Sequence, residues 1–292
     1  TYGDMEFTGG IATVELGNEE SAEAVGLPIG VHYTVTENAD SAAGFVVEES
    51  GVTGEITCGD KEATITNIGK GDLTVVKKVV SDIAGDRTAK YKFKVTITKP
   101  DGSVDTNVNG AEYGTYRFNS GICEGIELSD GDSVSFAGLP RGDSYLVEEL
   151  DTPDDMTVTM ENAEGVIGGT DTTAAAAVFT NTRRTGNISI TKSVTSNVDS
   201  DQSNTYKFNI RLVNEDGTPV DLNGTYDNVT FTNGAATVEV TPGASKDIHG
   251  LPYGVRCIVT ETEHNDFIVY ANGTEGDSTE NIIGWSSGDT IW

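Results

Sequence analysis

Lysine, glutamate and asparagine side chains recur in this chain in phase with apolar strand residues. In "SYLVEE", residues 144–149, Glu149 falls on the face that holds Tyr145 and Val147, and Glu148 on the other. Matching stretches put Glu37 with Tyr33 and Val35, and Glu261 with Cys257 and Val259. Lys77 is in phase with Leu73 and Val75, Lys192 with Ile188 and Ile190, Asn181 with Phe179, and Asn67 with Ile65. A charge on an apolar face is costly unless it is paired or neutralised. Desolvation favours the neutral forms, lowering a lysine pKa and raising a glutamate pKa. Such a trio is equipped for proton exchange around a deprotonated amine; left unreacted, it is a buried, hydrogen-bonded ion pair.

The elements that must position these groups are repeated. The phrase "GLPIGVHYTVTE" at residues 26–37 returns as "GLPRGDSYLVEE" at 138–149 and "GLPYGVRCIVTE" at 250–261, both steps being 112 residues. "YKFKVTITKPDG" from Tyr91 and "YKFNIRLVNEDG" from Tyr206 are 115 apart, as are "GDLTVVKKV" from Gly71 and "GNISITKSV" from Gly186. "ATITN" ending at Asn67 and "AVFTN" ending at Asn181 are 114 apart. The opening "TYGDMEFTGGIATVEL" lies without a gap on "TYDNVTFTNGAATVEV" from Thr225, so Thr1 is expected to fall inside a repeat, with the equivalents of about 39 residues ahead of it. "SGDTIW" at the other end is expected to stop short of a closing Thr-Asn strand. The expected organisation is a partial repeat over residues 1–70 lacking its first strands, a complete repeat over 71–185, and a repeat over 186–292 lacking its closing strand.

Within a repeat the runs are short, rich in Val, Ile, Thr, Tyr and Phe, and separated by Gly, Asp, Asn and Pro turns, which predicts antiparallel β-structure. At about 115 residues per unit the expected fold is all-β: tandem immunoglobulin-like β-sandwich domains arranged head to tail.

Composition narrows the function. The 292 residues carry a net charge of −29, which argues against nucleic acid or an anionic membrane as partner. No apolar run approaches the roughly 20 residues of a membrane span. Cys58, Cys123 and Cys257 occupy non-matching repeat positions, so they read as incidental rather than as a disulfide framework or zinc site.

These residues carry a resemblance over the whole chain. It resembles Gram-positive surface-protein repeats of the Cna B-type and pilin isopeptide-linkage group, with a first-strand lysine, Tyr-x-Val-x-Glu, and a closing Phe-Thr-Asn. The resemblance implies that Lys77 is a nucleophile, Asn181 the electrophile and Glu149 the proton relay of an autocatalytic, intramolecular isopeptide bond. It also implies that the first and last strands of the repeat are neighbours. Glu37 with Asn67, and Lys192 with Glu261, are then incomplete equivalents of the same site. Two departures stand out: "VVKK" offers Lys78 beside Lys77, and the proline-rich loop after the glutamate is matched only loosely by "LDTPDD".

The implied function is a structural stalk or pilus subunit of a bacterial cell-surface adhesin. It would be extracellular, partnered by further repeats or neighbouring subunits, with no cofactor and no metal. The alternative is an adhesive module that contacts host protein or glycan through a sheet edge or through "RGDS" at residues 141–144. Asn187, Asn223, Asn228 and Asn272 head Asn-x-Ser/Thr triplets that also suit turns, and "SDGDS" from Ser129 lacks the order of an EF-hand loop. Turnover on an outside substrate finds no support: His32, His249 and His264 pair with no nucleophile in a repeated pattern.

Overall fold

The fold is given by a computed structural model that describes residues 1–168, 175–262 and 267–284. The chain divides into two compact units, Thr1–Gly71 with Gly138–Arg141, and Asp72–Ala137 with Gly142–Trp292. Strands are the main regular element of both.

In the first unit β1 (His32–Thr34) is followed by the one-turn helix α1 (Ala39–Ala42), β2 (Phe45–Ser50), β3 (Thr53–Glu55) and residues 64–71 of β4 (Thr64–Val80). Asn38 caps α1 by accepting from the Asp40 amide. β1 pairs antiparallel with β3, and β2 with β4 so that Val47 faces Asn67. Val35, whose equivalents Val147 and Val259 are buried, is 39% exposed here.

The second unit continues β4 over residues 72–80, then α2 (Ala84–Thr88), β5 (Tyr91–Thr98), β6 (Ile122–Leu128), β7 (Ser133–Pro140), β8 (Ser144–Leu150), β9 (Met156–Glu161), β10 (Glu164–Val166) and β11 (Ala175–Arg183). One sheet has the order β10-β8-β5-β6; the other runs β4-β11-β9 with β7 on β4. The alternation read from sequence holds: Tyr91, Phe93, Val95 and Ile97 of β5 are buried, and so are Leu73, Val75, Lys77 and Val79 of β4. Phe93 and Phe179 meet edge to face, ring centres 5.2 Å apart, joining the two sheets.

The same unit goes on through β12 (Thr185–Thr191), a 3-10 turn (Asp199–Gln202), β13 (Tyr206–Val213), β14 (Gly224–Tyr226), β15 (Val229–Phe231), β16 (Ala235–Val240), β17 (Ser245–Pro252), β18 (Arg256–Glu261), β19 (Tyr270–Ala271), β20 (Thr274–Glu275) and β21 (Ser278–Ile282). Its sheet order is β16-β13-β18-β21, with β12 on β17. The stretch "SGDTIW" lies outside the described residues.

One departure from the sequence expectation matters for the site. Pairing is antiparallel almost throughout, yet β4 and β11 are parallel, with Phe179 opposite Lys77 and Asn181 opposite Val79. Parallel neighbours need a long crossover between them, and here the intervening strands of the repeat supply it. The Gly-Leu-Pro phrase owes its glycines to backbone geometry. Gly26, Gly138 and Gly250 have φ of 77°, 76° and 77°, and the second glycine of each phrase, Gly30, Gly142 or Gly254, is also left-handed at 86°, 96° or 83°.

Candidate functional site

Lys77, Glu149 and Asn181 come together inside the middle repeat. Lys77 reaches its place from β4, Glu149 from β8 in the opposite sheet, and Asn181 from β11 beside β4. Lys77 and Asn181 are wholly buried and the Glu149 side chain is 2% exposed. Lys77 Nζ donates to Glu149 Oε2 at 3.0 Å, and Asn181 Nδ2 donates to Glu149 Oε1 at 2.5 Å. The carboxylate thus bridges the other two groups. Asn181 Oδ1 is buried with no hydrogen-bond partner among the described residues. An unpartnered carbonyl in such a place is costly, which makes this arrangement a loaded one.

The surroundings hold the amine in a dry pocket. Nζ lies 4.2 Å from the centre of the Tyr91 ring and 6.0 Å from that of Phe93. Burial holds the Lys77 ammonium below its usual 10.5, a drop partly offset by the hydrogen bond and charge of Glu149 and by the charge of Asp130. Lys78, the neighbour that the sequence offered as a rival, is exposed on the opposite face of β4.

The flanking copies are complementary halves of the same cluster. In the first unit Asn67 Nδ2 donates to Glu37 Oε1 at 2.7 Å, and Glu37 Oε2 is buried without a hydrogen-bond partner among the described residues. In the third repeat Lys192 Nζ donates to both Glu261 oxygens at 2.8 Å and sits 4.5 Å from the centre of the Tyr206 ring, as Lys77 sits over Tyr91. Each glutamate therefore holds whichever partner its repeat supplies.

Sequence reasoning missed a second buried polar cluster. Arg183, the last residue of β11, donates from Nε and Nη2 to Asp86 Oδ2 and Oδ1 at 2.8 and 2.6 Å, and from Nη1 to Asp155. Ser81 Oγ donates to Asp86 Oδ2, and Tyr91 Oη to the Asp86 carbonyl. Burial by itself lowers the guanidinium pKa, but the bonds and charges of Asp86 and Asp155 outweigh it and the net direction is upward. A signal existed: Ser81, Asp86 and Tyr91 recur 115 residues on as Ser196, Asp201 and Tyr206.

The remaining motifs resolve into structural roles. An integrin-type contact needs an accessible carboxylate, but Asp143 of "RGDS" is 5% exposed, its carbonyl accepts from the Ile167 amide at 2.7 Å, and the Gly142 amide donates to the Ile167 carbonyl at 3.0 Å. Burial of Asp143 disfavours the route through this tripeptide. Asp143→Asn is accordingly expected to leave cell attachment unchanged and to lower the thermal midpoint of the repeat, checked by an adhesion assay beside calorimetry. Asn228 and Asn272 hold left-handed turn positions, φ 65° and 49°, and Asn223 Oδ1 accepts from the Asn233 amide. In "SDGDS" Asp130 accepts from the Val79 amide of β4 and Asp132 from the Ser129 amide, so one carboxylate ties the loop to a strand and the other serves its own turn. Burial pushes the thiols of Cys123 and Cys257 up to about 11 and about 12, which leaves them unreactive. Cys58 is exposed, and His264 lies outside the described residues.

Comparison with known proteins agrees with the sequence. Over 115 residues the chain is 34% identical to the pilus tip adhesin Cpa of Streptococcus pyogenes, a stretch that is 37% of this chain and 16% of that protein. The chain thus spans about a sixth of the curated relative. Among solved structures, the pilus-presented adhesin Cpa gives a TM-score of 0.34 at 20% identity, covering 51% of this chain and 35% of that one. The major pilin T-13 from Streptococcus pyogenes gives 0.42 at 12% identity, covering 75% and 94%. With tandem all-β repeats and an inward lysine, glutamate and asparagine, the chain is similar, over the stretch matched to Cpa, to a Gram-positive pilus adhesin. The chain belongs to the family described as Domain of unknown function (DUF7601), which matches it three times, over residues 1–69, 71–183 and 186–284.

Proposed function

We propose that the chain is a segment of a bacterial cell-surface pilus or fibre, built from three consecutive repeats, whose middle repeat closes an isopeptide bond between Lys77 Nζ and Asn181 Cγ. The observation that carries this reading is Glu149, buried and bonded to both reacting groups at once. Lys77 gives a proton to Glu149 and becomes a neutral amine, which its lowered pKa favours. Nζ then attacks Cγ. Glu149 returns the proton to the departing Nδ2 and takes the second Nζ proton in its place, the Cγ–Nδ2 bond breaks, and ammonia leaves as the new amide forms. Rotation of the Asn181 side-chain amide before attack places Oδ1 on a protonated Glu149, which then polarises the carbonyl.

One turnover per molecule is the whole reaction, so the chain is a structural protein rather than an enzyme acting on an outside substrate. The product replaces a buried charge pair with a neutral amide and ties the first and last strands of the repeat together. That link resists force, heat and proteases as a disulfide does, without redox sensitivity. The stalk reading is further supported by which residues the copies share: strand-face positions and turn glycines, while the loops differ. Its partners are further repeats or neighbouring subunits, and its place is outside the cell. Among the described residues no helix is long and apolar enough to cross a membrane.

Intact-mass measurement tests the bond. The expected chain is lighter than its sequence by one ammonia, with a branched peptide joining Lys77 to Asn181 after digestion; a full sequence mass sinks it. After refolding, formation is expected to accelerate with rising pH, with an inflection below 10.5.

A further inference from the structure

Asp86 ties together the ends of the two strands that the proposed bond would join. Lys77, Val79 and Ser81 follow one another on one face of β4 and its continuation, as Phe179, Asn181 and Arg183 do on β11. The parallel ladder between these strands ends with Thr182 opposite Val80, so Ser81 and Arg183 stand one step beyond its last pair. Asp86 takes over there. Its Oδ2 accepts from Ser81 Oγ at 2.5 Å and from Arg183 Nε at 2.8 Å, and its Oδ1 accepts from Arg183 Nη2 at 2.6 Å. Among the described residues these are the only side chains that the carboxylate bonds, so it touches neither Lys77 nor Asn181.

The same residue reaches the amine by a second route. Its carbonyl accepts from Tyr91 Oη at 3.0 Å, and the Tyr91 ring centre lies 4.2 Å from Lys77 Nζ. The construction is repeated beside Lys192. There Ser196 Oγ donates to Asp201 Oδ2 at 2.5 Å, Tyr206 Oη donates to the Asp201 carbonyl at 3.1 Å, and the Tyr206 ring centre lies 4.5 Å from Lys192 Nζ. Aspartate, tyrosine and inward lysine therefore form one recurring unit of the fold.

Attack of Nζ on Cγ depends on how closely amine and amide are held. A slip of one residue between the strands would turn one of the two groups out of the core. A smaller error also matters, since a misplacement of about 1 Å can cost about a hundredfold in rate. We propose that Asp86 is a positioning residue for the Lys77–Asn181 bond: its carboxylate clamps the ends of β4 and β11 so that amine and amide meet in register, and its carbonyl steadies the ring beside the amine. This deepens the isopeptide reading and rests on it.

The test is a time course of mass in the full chain, collected unfolded in denaturant straight after synthesis and diluted into folding buffer. Each mass is set against that chain's own sequence, and each rate is corrected for the folded fraction read by circular dichroism. Asp86→Ala is expected to lose ammonia at least about tenfold more slowly than the native chain. The deciding variant is Asp86→Asn with Arg183→Met, which strands neither charge of the pair yet has no two-pronged clamp. It is expected to be more stable than Arg183→Met alone and still as slow as Asp86→Ala, whereas a purely structural role for Asp86 would let the rate recover with the stability. The slowing is expected to be the same factor at every pH, with the inflection unmoved, because the charges that act on Lys77 are those of Glu149 and Asp130. A double variant that reacts at the native rate, or an inflection that moves, overturns the inference. A native chain that never loses ammonia overturns the isopeptide reading and this inference with it; ammonia lost at one rate in all three chains counts against Asp86 alone.

Discussion

Glu149→Ala is expected to leave the chain at its full sequence mass and to destabilise the middle repeat by about 3–5 kcal/mol, the usual cost of removing one partner of a buried ion pair. Two losses coincide. Lys77 keeps a charge in a wholly buried site against Tyr91 and Phe93, and Asn181 Nδ2 loses its acceptor. Without a relay the proposed crosslink does not form, which removes a further constraint, on a loop of about a hundred residues, that loop-closure entropy values at about 4–5 kcal/mol on top of the ion-pair loss. The double variant Lys77→Met with Glu149→Leu separates these contributions, since replacing a whole buried pair by apolar residues of similar volume is close to neutral. It is expected to recover much of the stability lost in Glu149→Ala, as read by denaturant unfolding, while still keeping its full mass. Were Glu149→Ala still to lose ammonia, Glu149 would not be the relay. Glu261→Ala supplies the control in the same molecule, a buried lysine–glutamate pair whose loss is expected to lower stability without changing the mass.

Much of this site was legible because strand alternation assigns faces. Two-residue periodicity is enough to turn Lys77, Glu149 and Asn181 inward, and all three are inward. Periodicity does not say which strands are neighbours. That β4 and β11, separated by about a hundred positions, are neighbours came from the family resemblance, and their parallel sense came from no signal in the sequence. The burial of Asp143 could not be read from the tripeptide itself, since its place beside Ile167 depends on a contact 24 residues away. Val35 went astray for a related reason. Its alternation matches Val147 and Val259, but a face is buried only when something covers it, and in the first unit it stays 39% exposed. The polar cluster around Arg183 was invisible as a pattern because only its aspartate side is repeated. Arg183 has Gly69 at the equivalent position of the first repeat, so no comparison between copies marks it.

That cluster carries the second large expected effect. Arg183→Met is expected to cost about 3–5 kcal/mol, because it strands Asp86, whose side chain is 11% exposed, with Ser81 as its remaining side-chain partner. Arg183→Lys is expected to recover part of that loss: an ammonium keeps the charge but cannot reproduce the two-pronged bond to Asp86 together with the bond to Asp155. Adding Asp86→Asn to Arg183→Met is expected to restore stability relative to Arg183→Met alone, a coupling that a double-mutant cycle measures directly. The consequence reaches beyond the middle repeat. Asp86 fixes the turn that seats Ile83 against Leu222, so loosening it in Arg183→Met is expected to speed amide hydrogen exchange at residues 222–226. Asp201→Ala loosens the equivalent turn that carries Val198 and is expected to leave that exchange unchanged, since Val198 does not form the bridge to Leu222. Equal exchange at residues 222–226 in native and Arg183→Met chains would mean that the third repeat holds this edge without help from Ile83.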